Sequence, residues 1–264
     1  MKKFKTISIF ILSSALLLFA CAPTANIKRE AGMLNLNYTF PEITPKTTSL
    51  AIAVVSPTIA DKDFSGSNRY VGNLTTDFNF RFYRDYIGQL KAGFSNAFQE
   101  LVVKKGFNIK GPFPSFDELT FKDKRDAYLA LVPALDVAIE KLSVRENCEA
   151  LTNVCTETGI MQIGGELRLD FIAPMTKEKV LVRRINLSTF RIQKDYKIER
   201  PPLSGFGSLI SGMREFVDTS DKALADASNE FFKKSMEKIW DFVSTEELIR
   251  YKNQVSVLKN LKRF

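Results

Sequence analysis

From Tyr83 to Val102 the apolar positions of this chain recur at helical spacing. Tyr83, Tyr86, Ile87, Leu90, Phe94, Ala97, Phe98, Leu101 and Val102 share one face, Lys104 and Lys105 occupy the last turn, and Gly106 is the stop. Before this helix, Leu50 to Val55 is an unbroken apolar run ended by Pro57, the pattern of a strand buried on both faces. After it, Phe107 to Ile109 starts a strand. Ser115-Phe116-Asp117-Glu118 reads as a capping box opening a short helix. A strand is entered at Asp126 to Val132 and continues through Leu135, Val137 and Ile139. Ile163, Leu167, Leu169 and Phe171 alternate with Glu166, Arg168 and Asp170, Pro174 to Lys177 is a turn, and Val180 to Phe190 is the return strand. Ser220 is positioned to cap a helix with Ala223, Leu224, Ala227, Phe231, Ile239 and Trp240 inward. Ser244-Thr245-Glu246-Glu247 opens a last amphipathic helix over 245–263, with Leu248, Tyr251, Val255 and Leu258 packing on the domain and Lys259, Lys262 and Arg263 solvated. These elements predict an α+β fold of mixed layers: a central sheet with a long antiparallel hairpin, one long helix before it and two helices at the C-terminus.

The N-terminus follows a different rule. Lys2, Lys3 and Lys5 precede an apolar stretch from Ile7 to Phe19, which is short for a membrane span and suited to a signal peptide. Leu18-Phe19-Ala20-Cys21 resembles a bacterial lipobox, with a bulky Phe19 in its variable slot. The resemblance implies cleavage before Cys21, acyl chains on its sulfur and new amine, and, with Ala22 rather than Asp next, sorting to the outer membrane. Each buried CH₂ contributes about 0.8 kcal/mol, so two or three chains anchor firmly. The domain reading is therefore a signal peptide over 1–20, a lipidated terminus and tether over 21–46, and a single soluble domain over 47–264. Ile59 to Asn79 reads as a long polar excursion, and Leu203 to Gly212 as an apolar glycine loop that lacks the Gly-Lys-Ser/Thr of a phosphate loop.

Composition narrows the chemistry. The chain has no histidine, which excludes Ser-His-Asp and Cys-His catalysis and most zinc sites. Neither a cofactor nor a metal is expected, and the reading is non-enzymatic; Glu166 and Asp170 are the nearest approach to a carboxylate pair. The net charge of +8 includes the three lysines of the leader. An exported, mildly basic chain fits an anionic surface or acidic ligand rather than nucleic acid. In an oxidising envelope Cys148 and Cys155 read as a disulfide, closing a loop of about 8 residues that contributes about 2.5 kcal/mol. A redox or metal pair is the alternative, disfavoured because the spacing is not C-x-x-C.

Short segments spread along the mature chain are similar to one family in collinear order. They are Leu36-Asn37-Tyr38, Lys105-Gly106-Phe107, Ala127-Tyr128-Leu129-Ala130, Ala173-Pro174-Met175, Ile192-Gln193-Lys194, Asp218-Thr219-Ser220-Asp221-Lys222-Ala223 and Tyr251. From about Leu36 to Phe264 the chain resembles the neuraminyllactose-binding haemagglutinin family, lipoproteins described as sialic-acid adhesins and flagellar-sheath proteins. That family's proposed sialic-acid motif is a cluster of Lys and Arg around Thr-Ile-Gln. Here the corresponding stretch is Val144-Arg145-Glu146-Asn147-Cys148, mixed in charge, so the motif does not carry over.

The resemblance implies adhesion to sialylated glycans on host surfaces, from an outer-membrane, surface-exposed or sheath location. The densest basic stretch near the hairpin, Arg183, Arg184, Arg191, Lys194, Lys197 and Arg200, is the candidate for an acidic glycan, since Arg pairs bidentately with carboxylate. The same residues also read, more simply, as the solvated side of a strand and its loop. The alternative function is an accessory or structural lipoprotein acting through contacts with envelope or sheath proteins.

Overall fold

A computed structural model describes residues 26–42, 47–60, 78–202 and 214–261. The leader, Cys21, most of the 59–79 excursion, the 203–212 loop and Lys262-Arg263 lie outside these residues. The strands are β1 (Asn26–Arg29), β2 (Ala51–Val55), β3 (Thr58–Ile59), β4 (Asn108–Phe113), β5 (Leu129–Cys148), β6 (Cys155–Ala173), β7 (Glu178–Asn186), β8 (Ile192–Arg200) and β9 (Glu215–Asp218). Besides a single α-helical turn at Phe78–Arg81, the α-helices are α1 (Ile87–Lys104), α2 (Phe121–Asp126), α3 (Ser220–Phe242), α4 (Thr245–Arg250) and α5 (Lys252–Leu261). The class is α+β, with the long helix ahead of the hairpin β6–β7 and the late helices after it. No helix among the described residues is long and apolar enough to cross a membrane.

The chain divides into two compact units. The smaller contains 26–31, 143–160, 195–202 and 214–222 of the described residues, and the larger contains the rest. Strands β5, β6 and β8 and helix α3 supply residues to both.

In the larger unit β2 lies between parallel partners, with Ile52 opposite both Ile109 of β4 and Leu129 of β5. Two covered faces explain its unbroken apolar run. α1 buries Leu90, Phe94, Ala97, Phe98, Leu101 and Val102, and Phe94 packs edge-on against Phe232 of α3 at 5.0 Å. The helix ends where Gly106 takes φ +85°, a conformation that favours glycine. Ahead of α1 a π-helical turn at Phe82–Tyr86 widens the winding by one residue. It buries Phe82, while Tyr83, expected inward, is half-buried and donates to the Val137 carbonyl at 3.0 Å.

Several local expectations differ from the structure. Ser115 caps nothing: Phe116–Glu118 is a 3₁₀ turn, and the capping box is Thr120 with Asp123, opening α2. Asp126 ends that helix instead of entering β5. The return strand stops at Asn186, where the Asn186 side chain accepts from Ser188 N–H and folds Leu187–Phe190 into a 3₁₀ turn. At the start of α3, Asp218 accepts hydrogen bonds from Ser220 N–H and its hydroxyl. Ser244 does cap α4. The last helix is broken at Tyr251, and Leu248 and Val255 are buried on either side of the break. Trp240 is half-buried, stacking on Phe40 at 5.3 Å and lying under the Lys105 ammonium at 3.7 Å. Phe40 is buried and Asn35 N–H donates to Asn229 at 2.7 Å, so this part of the expected tether is packed.

The smaller unit holds the other part of that tether. β1 runs parallel to β9 with Asn26 opposite Glu215 and Arg29 opposite Asp218. β9 runs antiparallel to β8, and β8 neighbours β6. Phe216, Tyr196, Ile198 and Val154 are its buried apolar side chains, and Cys148 and Cys155 are joined by a disulfide.

Candidate functional site

Past Leu142 the β5 strand changes character. Ser143 takes φ +51°, and every residue from Ser143 to Cys148 is exposed. Alternation along this stretch sends neighbours to opposite faces. Glu146 pairs with Arg200 at 3.1 Å, whereas Ser143 and Arg145 line a cleft of about 540 Å³ in the smaller unit. Thr158 to Ile160, Asp195 to Lys197 and Thr219 complete its wall. Thr219 clamps that wall: its hydroxyl accepts from Lys197 N–H at 2.9 Å and its own N–H donates to the Lys197 carbonyl at 3.0 Å.

The cleft holds two cations with different standing. Lys197 pairs with Glu199 at 2.8 Å. Burial works to raise the Glu199 carboxyl; hydrogen bonds from Lys197 and Val217 N–H, with the charges of Lys197 and Arg214, outweigh it and hold the group below its ordinary range. Arg145 makes no ion pair with any described residue, and neither does Asp195. A free guanidinium, a free carboxylate and the hydroxyls of Ser143 and Thr158 therefore face one opening. That set can receive a carboxylate on one side and sugar hydroxyls on the other.

The six basic residues expected from sequence do not converge. Arg183, Arg184, Arg191 and Lys194 belong to the larger unit, Lys197 and Arg200 to the smaller. Arg183 binds Glu247 at the start of α4, Arg184 reaches Glu166 at 4.0 Å, and Arg200 is held by Glu157 and Glu146. Arg191 sits at φ +47° after the 3₁₀ turn. Lys194 pairs at 2.8 Å with Glu230, which also takes Lys234 at 2.7 Å. The hydrogen bonds from Lys194 and Lys234 hold the Glu230 carboxyl below its ordinary range. A depressed folded pKa contributes stability above the unfolded value, lost as pH falls through the folded one. Glu230→Gln should therefore lower the stability measured by urea unfolding at pH 7 by about 0.5–1 kcal/mol for this half-exposed cluster. The gap from the parent protein should close on acidification below the ordinary glutamate pKa; a gap independent of pH would remove this account.

The carboxylates Glu166 and Asp170 do not form a matched pair. Asp170 is buried between Arg168 at 3.2 Å and Lys179 at 2.8 Å, while Glu166 is exposed. A second cleft of about 410 Å³ in the larger unit is lined by Asp136, Glu166 and Arg168, and its cation, Arg168, is committed to Asp170. Among the described residues, the cluster with metal-like spacing is Glu146 with Cys148 and Cys155, whose sulfurs are consumed by the disulfide.

Residues 13–262 match the family model of the neuraminyllactose-binding hemagglutinin precursor. The chain belongs to that family. A neuraminyllactose-binding hemagglutinin of Helicobacter pylori is 22% identical over 184 residues, covering 67% of this chain and 70% of the relative. A second from another strain is 22% identical over 185 residues. The solved structure of a Helicobacter pylori homolog of the same hemagglutinin superposes with a TM-score of 0.55 at 18% identity, covering 83% of this chain and 99% of that one. At such identity the shared property is the fold. Arg145 lies within Val144–Cys148, a stretch of mixed charge. In sequence its charge is masked by Glu146; strand alternation was the available signal that the two point apart.

Proposed function

We propose that this chain is an envelope adhesin of the hemagglutinin family, anchored by acyl chains on Cys21 to the outer membrane. Its smaller unit takes the carboxylate of a sialylated glycan. Arg145 pairs with the carboxylate, and Asp195, Ser143 and Thr158 serve the sugar hydroxyls. The observation that carries this reading is the unpaired Arg145 guanidinium in a hydroxyl-lined cleft. Family membership, the signal peptide and the lipobox-like Leu18 to Cys21 support the envelope location. The role is binding without catalysis.

Direct titration with sialyllactose and lactose tests it. The purified protein should bind the sialylated sugar and show little affinity for the neutral one. Arg145→Ala should weaken sialyllactose binding about 10-fold or more, because a hydrogen bond to a charged group contributes about 1.5–3 kcal/mol. Arg191→Ala, an exposed arginine of the larger unit, should leave it unchanged. Equal binding of both sugars would discard the glycan reading and favour an accessory protein acting through protein contacts.

A further inference from the structure

Leu151 is 92% exposed at the tip of the loop closed by Cys148 and Cys155. Isolated exposed leucines are ordinary; this one is held out on a braced support. Glu149 N–H donates to the Val154 carbonyl at 2.9 Å, and Asn153 N–H donates to the Glu149 carbonyl at 2.8 Å. The Thr152 hydroxyl donates to the Glu149 carboxylate at 2.6 Å, and Arg214 reaches the same carboxylate at 3.3 Å. Val154 is buried at the base. A loop already ordered loses little entropy when its tip is buried against a partner.

The strand register says what that partner is. Asn26, the first residue of β1, lies opposite Glu215, the first residue of β9. Arg214, one residue earlier, touches the disulfide loop through Glu149. The start of β1 and the loop therefore occupy the same end of the smaller unit. Cys21 precedes Asn26 by five residues, which span at most about 17 Å when fully extended.

We propose that the Cys148–Cys155 loop is a lipid-contacting foot, with Leu151 seated in the interfacial layer of the bilayer that receives the Cys21 acyl chains. The proposal rests on the reading of Cys21 as the lipid-bearing residue. An apolar side chain beside an acyl anchor adds a second membrane contact and limits how the smaller unit can rotate on its anchor. Arg145 is three residues before Cys148 on the same strand, so the cleft stands about 10 Å from the foot along β5.

The test uses the full chain purified from membranes and reconstituted into phosphatidylethanolamine–phosphatidylglycerol vesicles, with or without brominated acyl chains. Trp240 is the native reporter, and Leu151→Trp in a Trp240→Phe background moves the reporter to the foot. Brominated lipid should quench emission from position 151 at least twofold. Acylated protein that floats with the vesicles but shows no quenching at 151 overturns the foot alone. A Cys21 peptide without acyl mass, with protein that does not float, overturns the anchor reading and the foot with it.

Discussion

Gly165→Ala should abolish or severely reduce the folded population. A Cβ at this position would stand 1.9 Å from the Asp136 carbonyl oxygen and 2.9 Å from its carbon, both backbone atoms of β5. Neither can swing aside as a flexible side chain would. The residue also sits at φ +139°, where an L side chain is strained by about 1–3 kcal/mol before any contact is counted. Relieving the overlap requires β6 to move off β5 where the flanking Ile163, Leu167 and Val137 are buried. Together these effects should exceed about 4 kcal/mol, a large fraction of the 5–15 kcal/mol by which domains are stable. Urea unfolding of the mature chain measures it. A variant within about 1 kcal/mol of the parent, with an unchanged dependence on urea, would mean that the two strands do not approach this closely.

Arg200→Ala should destabilise the protein by about 3–5 kcal/mol, the usual result of removing one partner of a buried ion pair. Glu157 has a side chain only 4% exposed, and Arg200 is 16% exposed. The Arg200 guanidinium holds one oxygen of the Glu157 carboxylate and the Tyr196 hydroxyl, at 2.9 Å, donates to the other. Burial, with the adjoining Glu157, pushes the Tyr196 phenol well above its ordinary range, so it stays a donor. Without Arg200 a negative charge remains out of water and loses the cation that pairs with it. The loss comes mainly from that stranded charge, so adding Glu157→Gln should recover at least half of it. The amide keeps an acceptor for Tyr196 and removes the charge. Chemical denaturation of the two single variants and the double variant decides the matter: additive losses would show that Arg200 acts through packing alone. Because Arg200 serves the fold, its loss of glycan binding would be secondary to loss of structure, unlike that expected for Arg145.

The contrast between those two arginines shows what could be read from the sequence. Arg200 stands in the densest basic stretch and is a natural ligand candidate by sequence; Arg145 stands between valine and glutamate, where its charge is masked. Local chemistry was read well where the partners are close in the chain. The α1 stripe and its Gly106 stop, the buried β2 run, the β6–β7 hairpin and the Ser244 cap all depend on residues a few positions apart. The errors are of two kinds. Ser115 has Glu118 three residues on, yet only a 3₁₀ turn follows it; the capping box that opens a helix is Thr120 with Asp123. The expected tether was judged by composition, and composition does not reveal that Phe40 finds Trp240 or that Asn26–Arg29 finds an open edge of β9.

Periodicity, spacing and the short disulfide loop were thus determined by the sequence itself, since neighbours along a chain meet in almost any fold with the same local geometry. Which charges remain available for a ligand was decided only by tertiary structure. Lys197 finds Glu199 two residues on, but the partners of three other candidate cations lie far off in sequence: Lys194 and Glu230 are 36 residues apart, Arg200 and Glu157 43, Arg183 and Glu247 64. An ion pair forms only when the fold brings its groups within a few ångströms, because attraction between charges in water weakens rapidly with distance and screening. Arg145 is the arginine of the cleft for which the fold supplies no such carboxylate among the described residues, and that makes it available for an acidic ligand.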